Sequence, residues 1–232
     1  IKVTKASGRV ELSSVNGKID DAGSSGRLSY EVVNGDIKAN SSAEEVNVST
    51  VNGDAELELS STQQLKLSTV NGEIKLKGGS GKVELNSVNG KIDDEGSSGR
   101  LSYEVVNGDI KAKSSADEIK VSTVNGDAKL ELTGTKQLKL STVNGEVEAK
   151  LRNSTAPRIS GSSVSGDIEL KLDTNISARF DIKASAGGSI SNKLSNDKAS
   201  KAKYGPARSL QFTLGSGDGS VELTTVSGDV EL

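Results

Sequence analysis

Ten charged residues follow directly after a glycine at one place in a repeating unit: Lys18, Asp36, Asp54, Glu73, Lys91, Asp109, Asp127, Glu146, Asp167 and Asp229. If the repeats stack, these positions become one column, mostly of carboxylates. An oxygen-rich edge of that kind is the donor set a hard cation such as Ca²⁺ takes. Asp36, Asp54, Glu73, Asp109, Asp127 and Glu146 are therefore the candidate metal ligands. Asp218 joins them from Gly215-Ser216-Gly217-Asp218-Gly219, a glycine-aspartate loop that lacks the repetition of calcium-binding solenoid loops. The competing reading is turn chemistry, in which Asp beside Gly accepts backbone N–H bonds. Lysines interrupt the column, and opposite signs meet across layers, Lys18 and Asp20 against Asp36 and Lys38. The turn reading is preferred, so no metal and no cofactor is expected.

Other chemistry is harder to build. The chain has no His and no Cys, so the usual general base and thiol nucleophile are missing. Paired carboxylates could hydrolyse glycosides, and Asp20-Asp21 and Asp93-Asp94 are the adjacent acidic pairs. Neighbouring strand residues point to opposite faces, however, which separates the two members of each pair. Hydroxyl pairs such as Ser49-Thr50, Ser68-Thr69 and Ser141-Thr142 form a further column. They are adjacent rather than alternating, so they read as capping a bend and not as a flat ice-binding array. No enzyme is expected.

What would position these residues is the tripeptide Val-Asn-Gly, recurring every 18 or 19 residues. Its members are Asn16-Gly17, Asn34-Gly35, Asn52-Gly53, Asn71-Gly72, Asn89-Gly90, Asn107-Gly108, Asn125-Gly126 and Asn144-Gly145. Val164-Ser165-Gly166 and Val226-Ser227-Gly228 are degenerate copies. A short fixed period marks a solenoid with one layer per repeat. Leu65 and Leu67 alternate before one turn, and Ile74 and Leu76 after it, which gives two half-buried strands per layer. Val70 and Val143 fall out of that phase, and the slip at Ser68-Thr69 and Ser141-Thr142 reads as a corner or bulge. Asn-Gly is also a hairpin signal, but a meander gives no reason for identical turns at one phase. Stacking does, because asparagine amides can hydrogen-bond up the column.

The expected fold is therefore all-β, a single-stranded parallel β-solenoid (β-helix) of about 11–12 layers, each of about 18–21 residues. Residues 1–232 read as one continuous solenoid. Residues 14–72 match 87–145 at 50 of 59 positions. Hence 14–86 and 87–150 form a duplicated four-layer block. Residues 151–232 are more divergent layers, with a polar loop at 191–208. With so few aromatic residues the core should be Val, Ile, Leu and Ala, a slot with little room for rings. A chain starting at Ile1 reads as processed or as a fragment. No polar cap is visible at either terminus, so end-to-end self-association is a further expectation.

Charge narrows the partners. The 29 basic and 32 acidic residues are interspersed, which leaves no basic stripe for nucleic acid. No apolar run is long enough for a membrane span.

TTVSGDVEL at 224–232, GSSVSGDIEL at 161–170 and the related STVNGDA stretches resemble a bacterial family of uncharacterised adhesin-type proteins with repeated T-V-S-G-D-V-type motifs. Its relatives include head domains of auto-transporter adhesins. The resemblance implies an extracytoplasmic β-solenoid in the periplasm, at the cell surface or secreted. It supplies no catalytic residues. Together these readings give a non-enzymatic structural or adhesion module presenting polar faces to a protein or glycan. The alternative is a carbohydrate- or divalent-cation-binding module using the acidic column.

Overall fold

Alternation in the sequence becomes alternation in burial along nearly every strand. From Gln64 to Asn71 the buried residues are Leu65, Leu67 and Thr69, while Gln64, Lys66 and Val70 face solvent. There is no slip of parity. Thr69 holds the inward position that Val32 and Val105 hold in their own layers, and the valine of Val-Asn-Gly points out. The expected corner at Ser68-Thr69 and Ser141-Thr142 is therefore not there. The apparent slip comes from counting the apolar Val70 and Val143 as inward, when both face solvent.

The computed structural model describes all residues, Ile1–Leu232, as strands, turns and loops without helix. No helix is long and apolar enough to cross a membrane. Parallel strands stack into a β-solenoid of about ten turns. That is slightly fewer than expected, because residues near 191–214 build a cap instead of further layers.

Two compact units divide the chain, Ile1–Ala116 and Asp117–Leu232. In the first, one sheet holds β1 (Lys2–Thr4), β3 (Ile19–Ser24), β5 (Ile37–Ser41), β7 (Ala55–Leu59), β9 (Ile74–Lys77), β11 (Ile92–Glu95) and β13 (Ile110–Ser114), in that spatial order. Facing it are β2 (Arg9–Asn16), β4 (Arg27–Asn34), β6 (Glu45–Asn52), β8 (Gln64–Asn71), β10 (Lys82–Asn89) and β12 (Arg100–Asn107). Each layer runs along the second sheet, turns at Asn-Gly and returns in the first. Register is strict: Val46 pairs with Leu65 and Asn52 with Asn71. The inward columns of Val, Ile, Leu and Ala make the core, but it also admits two rings. Tyr30 and Tyr103 are fully buried, so the slot is wider than the composition suggested.

The second unit starts in the same way. Its first sheet holds β15 (Ala128–Thr133), β17 (Val147–Arg152) and β19 (Ile168–Leu172), facing β14 (Glu118–Asn125), β16 (Gln137–Asn144) and β18 (Arg158–Ser163). Then serial order breaks. β20 (Ala178–Ala184) and β21 (Ile190–Ser191) do not lie on β18 and β19; β24 (Gly219–Thr225) and β25 (Val230–Glu231) are inserted between them. The insertion stacks the second Val-Ser-Gly turn directly on the first. Ser227 N–H donates to Val164 O at 2.9 Å, and Gly228 packs on Gly166 so closely that a Cβ there would meet Gly166 O at 2.0 Å. Residues 184–189 take the outer place, with Gly188 packed on Gly228 as closely as Gly228 is on Gly166. β23 (Arg208–Leu214) then covers β20 in antiparallel fashion, and β22 (Ser200–Lys201) ends the sheet. A two-residue edge strand bearing an exposed lysine is how natural sheets blunt an edge, so this end does carry a cap the sequence reading missed.

Candidate functional site

The turn edge is where the sequence placed its candidate chemistry. Each asparagine donates from Nδ2 to Oδ1 of the asparagine one layer before. The distances are 3.1 Å from Asn34 to Asn16, 2.9 Å from Asn52 to Asn34 and 2.8 Å from Asn71 to Asn52. The column continues through Asn89 and Asn107, and in the second unit Asn144 donates to Asn125 at 3.0 Å. Each amide has one donor and one acceptor aligned with the stacking direction, so the ladder satisfies both. From Gly35 onward the glycines beside them are packed on the turn of the neighbouring layer: a Cβ on Gly53 would meet Gly35 O at 2.0 Å, at φ +153°.

The acidic column is occupied by the same kind of bonding. Asp36 Oδ1 accepts the Asp54 N–H at 3.2 Å, Asp54 Oδ1 the Glu73 N–H at 2.7 Å, and Asp127 Oδ1 the Glu146 N–H at 2.8 Å. Asp167 and Asp229 do likewise for Asp229 N–H and Ser189 N–H. Lys18 pairs with Asp36 at 2.6 Å and Lys75 with Glu73 at 3.0 Å. The Lys18 hydrogen bond, then the Asp54 N–H, hold the Asp36 carboxyl below the usual carboxylate range. Asp109 stands in the same column, its backbone oxygen accepting Ile92 N–H at 2.9 Å. Nowhere do three acidic side chains converge as a cation site would need. Asp218 lies apart from the column. Its Oδ2 accepts the hydroxyls of Ser216 and Ser177, which lower its pKa in that order, and Ser177 Oγ accepts Ser216 N–H and Gly217 N–H, both at 3.1 Å. This pins the turn between β23 and β24.

Two features escaped the sequence reading. The first is a column of outward valines, among them Val33, Val51, Val70, Val88 and Val106, each 38–42% exposed beside the asparagines. The period-two pattern carried that information once Thr69 was counted inward. The second is a pair of buried acids. Asp20 and Asp93 face solvent more, as alternation required, but Asp21 and Asp94 are each 1% exposed. Asp94 accepts Ser97 Oγ–H at 2.6 Å and the Tyr103 hydroxyl. Asp21 accepts the Tyr30 hydroxyl at 2.7 Å and that of Ser24. Burial pushes the Asp94 carboxyl up to about 6, against the lowering pull of Ser97 and Tyr103. The signal was present: each acid is in phase with the inward Ile19 or Ile92, and a tyrosine occupies a core column in the following layer.

Over the first sheet of the first unit lies a shallow depression of about 270 Å³, flanked by Lys18, Lys38, Lys75, Asp36 and Glu56. Asp20, Lys38, Glu56 and Lys75 of its lining belong to one register column, which continues beyond it through Asp93 and Lys111.

With stacked Val-Asn-Gly and Val-Ser-Gly turns established, the family comparison is decisive: the model of Toastrack DUF4097 matches residues 100–232, more than half of the chain. The chain belongs to the Toastrack family. The Toastrack match takes in both Val-Ser-Gly turns, which stack on one another, and the β22–β23 cap. It supports the β-solenoid and a member of unknown function, and does not extend to adhesion. No curated protein and no solved structure gives a significant match.

Proposed function

We propose that this Toastrack chain is a non-enzymatic, extracytoplasmic structural or adhesion-type β-solenoid whose ordered polar faces meet a protein or glycan partner. The observation that carries this reading is the alternating column Asp20, Lys38, Glu56, Lys75, Asp93 and Lys111. A second column beside it runs Asn40, Glu58, Lys77, Glu95 and Lys113. Such a face has little net field but many hydrogen-bonding groups at a spacing of about 4.8 Å. It suits broad contact with a polar surface built from weak, exposed ion pairs. Placement outside the cytoplasm rests on the resemblance of TTVSGDVEL and GSSVSGDIEL to adhesin-type proteins.

The test combines localisation with charge reversal. Cells making the full-length protein are fractionated, and the purified chain is measured for adhesion to the envelope surface of the same cells. The expected result is an extracytoplasmic pool and salt-sensitive adhesion, which the triple variant Lys38→Glu, Lys75→Glu, Lys111→Glu loses while it stays folded, with a Tm lowered by the carboxylates now opposed along the column. A strictly cytosolic protein, or adhesion indifferent to the three reversals, defeats the reading. A cation-dependent module would also show a raised Tm in Ca²⁺ reversed by chelator. Because the column carboxylates already accept backbone N–H bonds, the melt is expected to be the same in both.

A further inference from the structure

Asn-Gly is the dipeptide most prone to lose its side-chain amide, because the small glycine lets its own backbone nitrogen reach the asparagine Cγ. The fold disarms most of these pairs. The N–H groups of Gly17, Gly35, Gly53, Gly72 and Gly90 are each bonded to the backbone oxygen of the next layer's asparagine, at 2.9–3.1 Å. Gly126 N–H is bonded to Asn144 O at 3.2 Å. A nitrogen whose hydrogen is held this way is a poor nucleophile, since attack requires that proton to leave. The side-chain ladder adds a second restraint by fixing the amide plane at both ends.

Asn144-Gly145 is where both restraints lapse, because the following layer turns at Val-Ser-Gly. There Gly166 N–H bonds within its own layer, to Ser163 Oγ at 2.9 Å. The strand pairing of β16 with β18 ends at Thr142 and Ser163, and the last interlayer bond before the turn is Ser165 N–H to Val143 O at 2.8 Å. Gly145 N–H has no acceptor in the protein. With Ser165 at the next rung, the ladder above Asn144 also ends, leaving it held through its bond to Asn125. Asn144 itself is exposed.

We propose that Asn144 is a site of spontaneous deamidation, set apart by the fold from Asn16, Asn34, Asn52, Asn71, Asn89 and Asn125. The Gly145 nitrogen forms a bond to Asn144 Cγ, the Cγ–amide bond breaks, and ammonia departs with the proton from Gly145. Solvent water then opens the resulting five-membered imide at either carbonyl, giving Asp or isoAsp, with no change of oxidation state. The product has lost the donor that bonded Asn125 Oδ1 at 3.0 Å and sets a carboxylate against that oxygen. An isoAsp also lengthens the backbone where Gly166 is stacked tightly on Gly145. The modification therefore loosens the junction of β16 with β18.

The test is peptide mapping by mass spectrometry after incubating the intact folded chain in mildly alkaline buffer, with a parallel sample in concentrated urea. Trypsin releases Leu140–Lys150 with Asn144 and Leu67–Lys75 with Asn71, which are distinguishable. In the folded chain, conversion at Asn144 is expected to run many-fold ahead of the other six, Asn34 being read in the peptide LSYEVVNGDIK that 28–38 and 101–111 share; in urea their rates should converge. Equal rates in the folded chain, or any of the six overtaking Asn144, overturn the proposal. So does an equal lead for Asn144 in urea, which would assign the effect to local sequence and not to the fold.

Discussion

Asp94 sets a pH dependence that runs against ordinary acid denaturation. Its folded pKa, about 6, lies above the unfolded value near 3.8 because burial penalises the charge. Its stabilising contribution is thus fully present below about pH 4 and is lost as pH rises through about 6. Two pKa units correspond to about 3 kcal/mol. Asp94→Asn keeps the shape and removes the charge; its Oδ1 still accepts one of the two hydroxyls, and its Nδ2 donates to the oxygen of the other. Urea melts should show it about 2–3 kcal/mol more stable than the parent at pH 7, with the gap closing by pH 4; a gap independent of pH rejects the account. A second residue prediction concerns Thr69, whose buried hydroxyl finds no partner. Val32 and Val105 fill the same column, so Thr69→Val should stabilise by about 1 kcal/mol, read as a higher urea midpoint at unchanged m. These residues also show what sequence could tell. Alternation separates Asp20 from Asp21 and Asp93 from Asp94, but counting Val70 as inward produces a false slip at Ser68-Thr69, and only packing reveals that the columns have room for Thr69 and Asp21.

Strands were legible for a simple reason: each element repeats, and an error in one layer contradicts its neighbours. The Asn ladder, both strands per layer and the parallel register all follow from one tripeptide at a fixed period. The cap was not legible, because β20 and β23 have no counterpart elsewhere in the chain. What marks them is the placement of the two phenylalanines. Phe180 and Phe212 are direct cross-strand partners, with ring centroids 4.3 Å apart and planes within 7°. This stack fastens the antiparallel strand to the parallel layers, and such a pair adds about 0.5–1.5 kcal/mol beyond its area. Phe212→Ala should cost about 3 kcal/mol. The loss should fall on the cap first, so hydrogen exchange should quicken through β20 and β23 while β16 keeps its protection. Uniform loss across the second unit would show that the cap is no separate element.

At the scale of the whole chain the consequence lies in the order of layers. In a serial solenoid, removing the last segment shortens the stack by one layer and leaves the rest intact, since each repeat contacts only its neighbours. Here the last segment is an inner one. β24 pairs with β18 on one side and β20 on the other, and β25 lies between β19 and β21. A chain ending at Leu214 would lose the parallel partner of β20 and the stacked turn on Val164–Gly166, and β20 and β23 would remain as a two-stranded pair. A lone pair of strands is marginal in water. Truncation after Leu214 should therefore abolish amide protection in 178–184 and 208–214, residues still present, while protection in 137–144 persists. If 178–184 stays protected, β20 can occupy the place of β24 and the insertion is not required. The same topology orders folding: β20–β23 can dock only after the C-terminal strand has been made, so protection there should appear last on refolding.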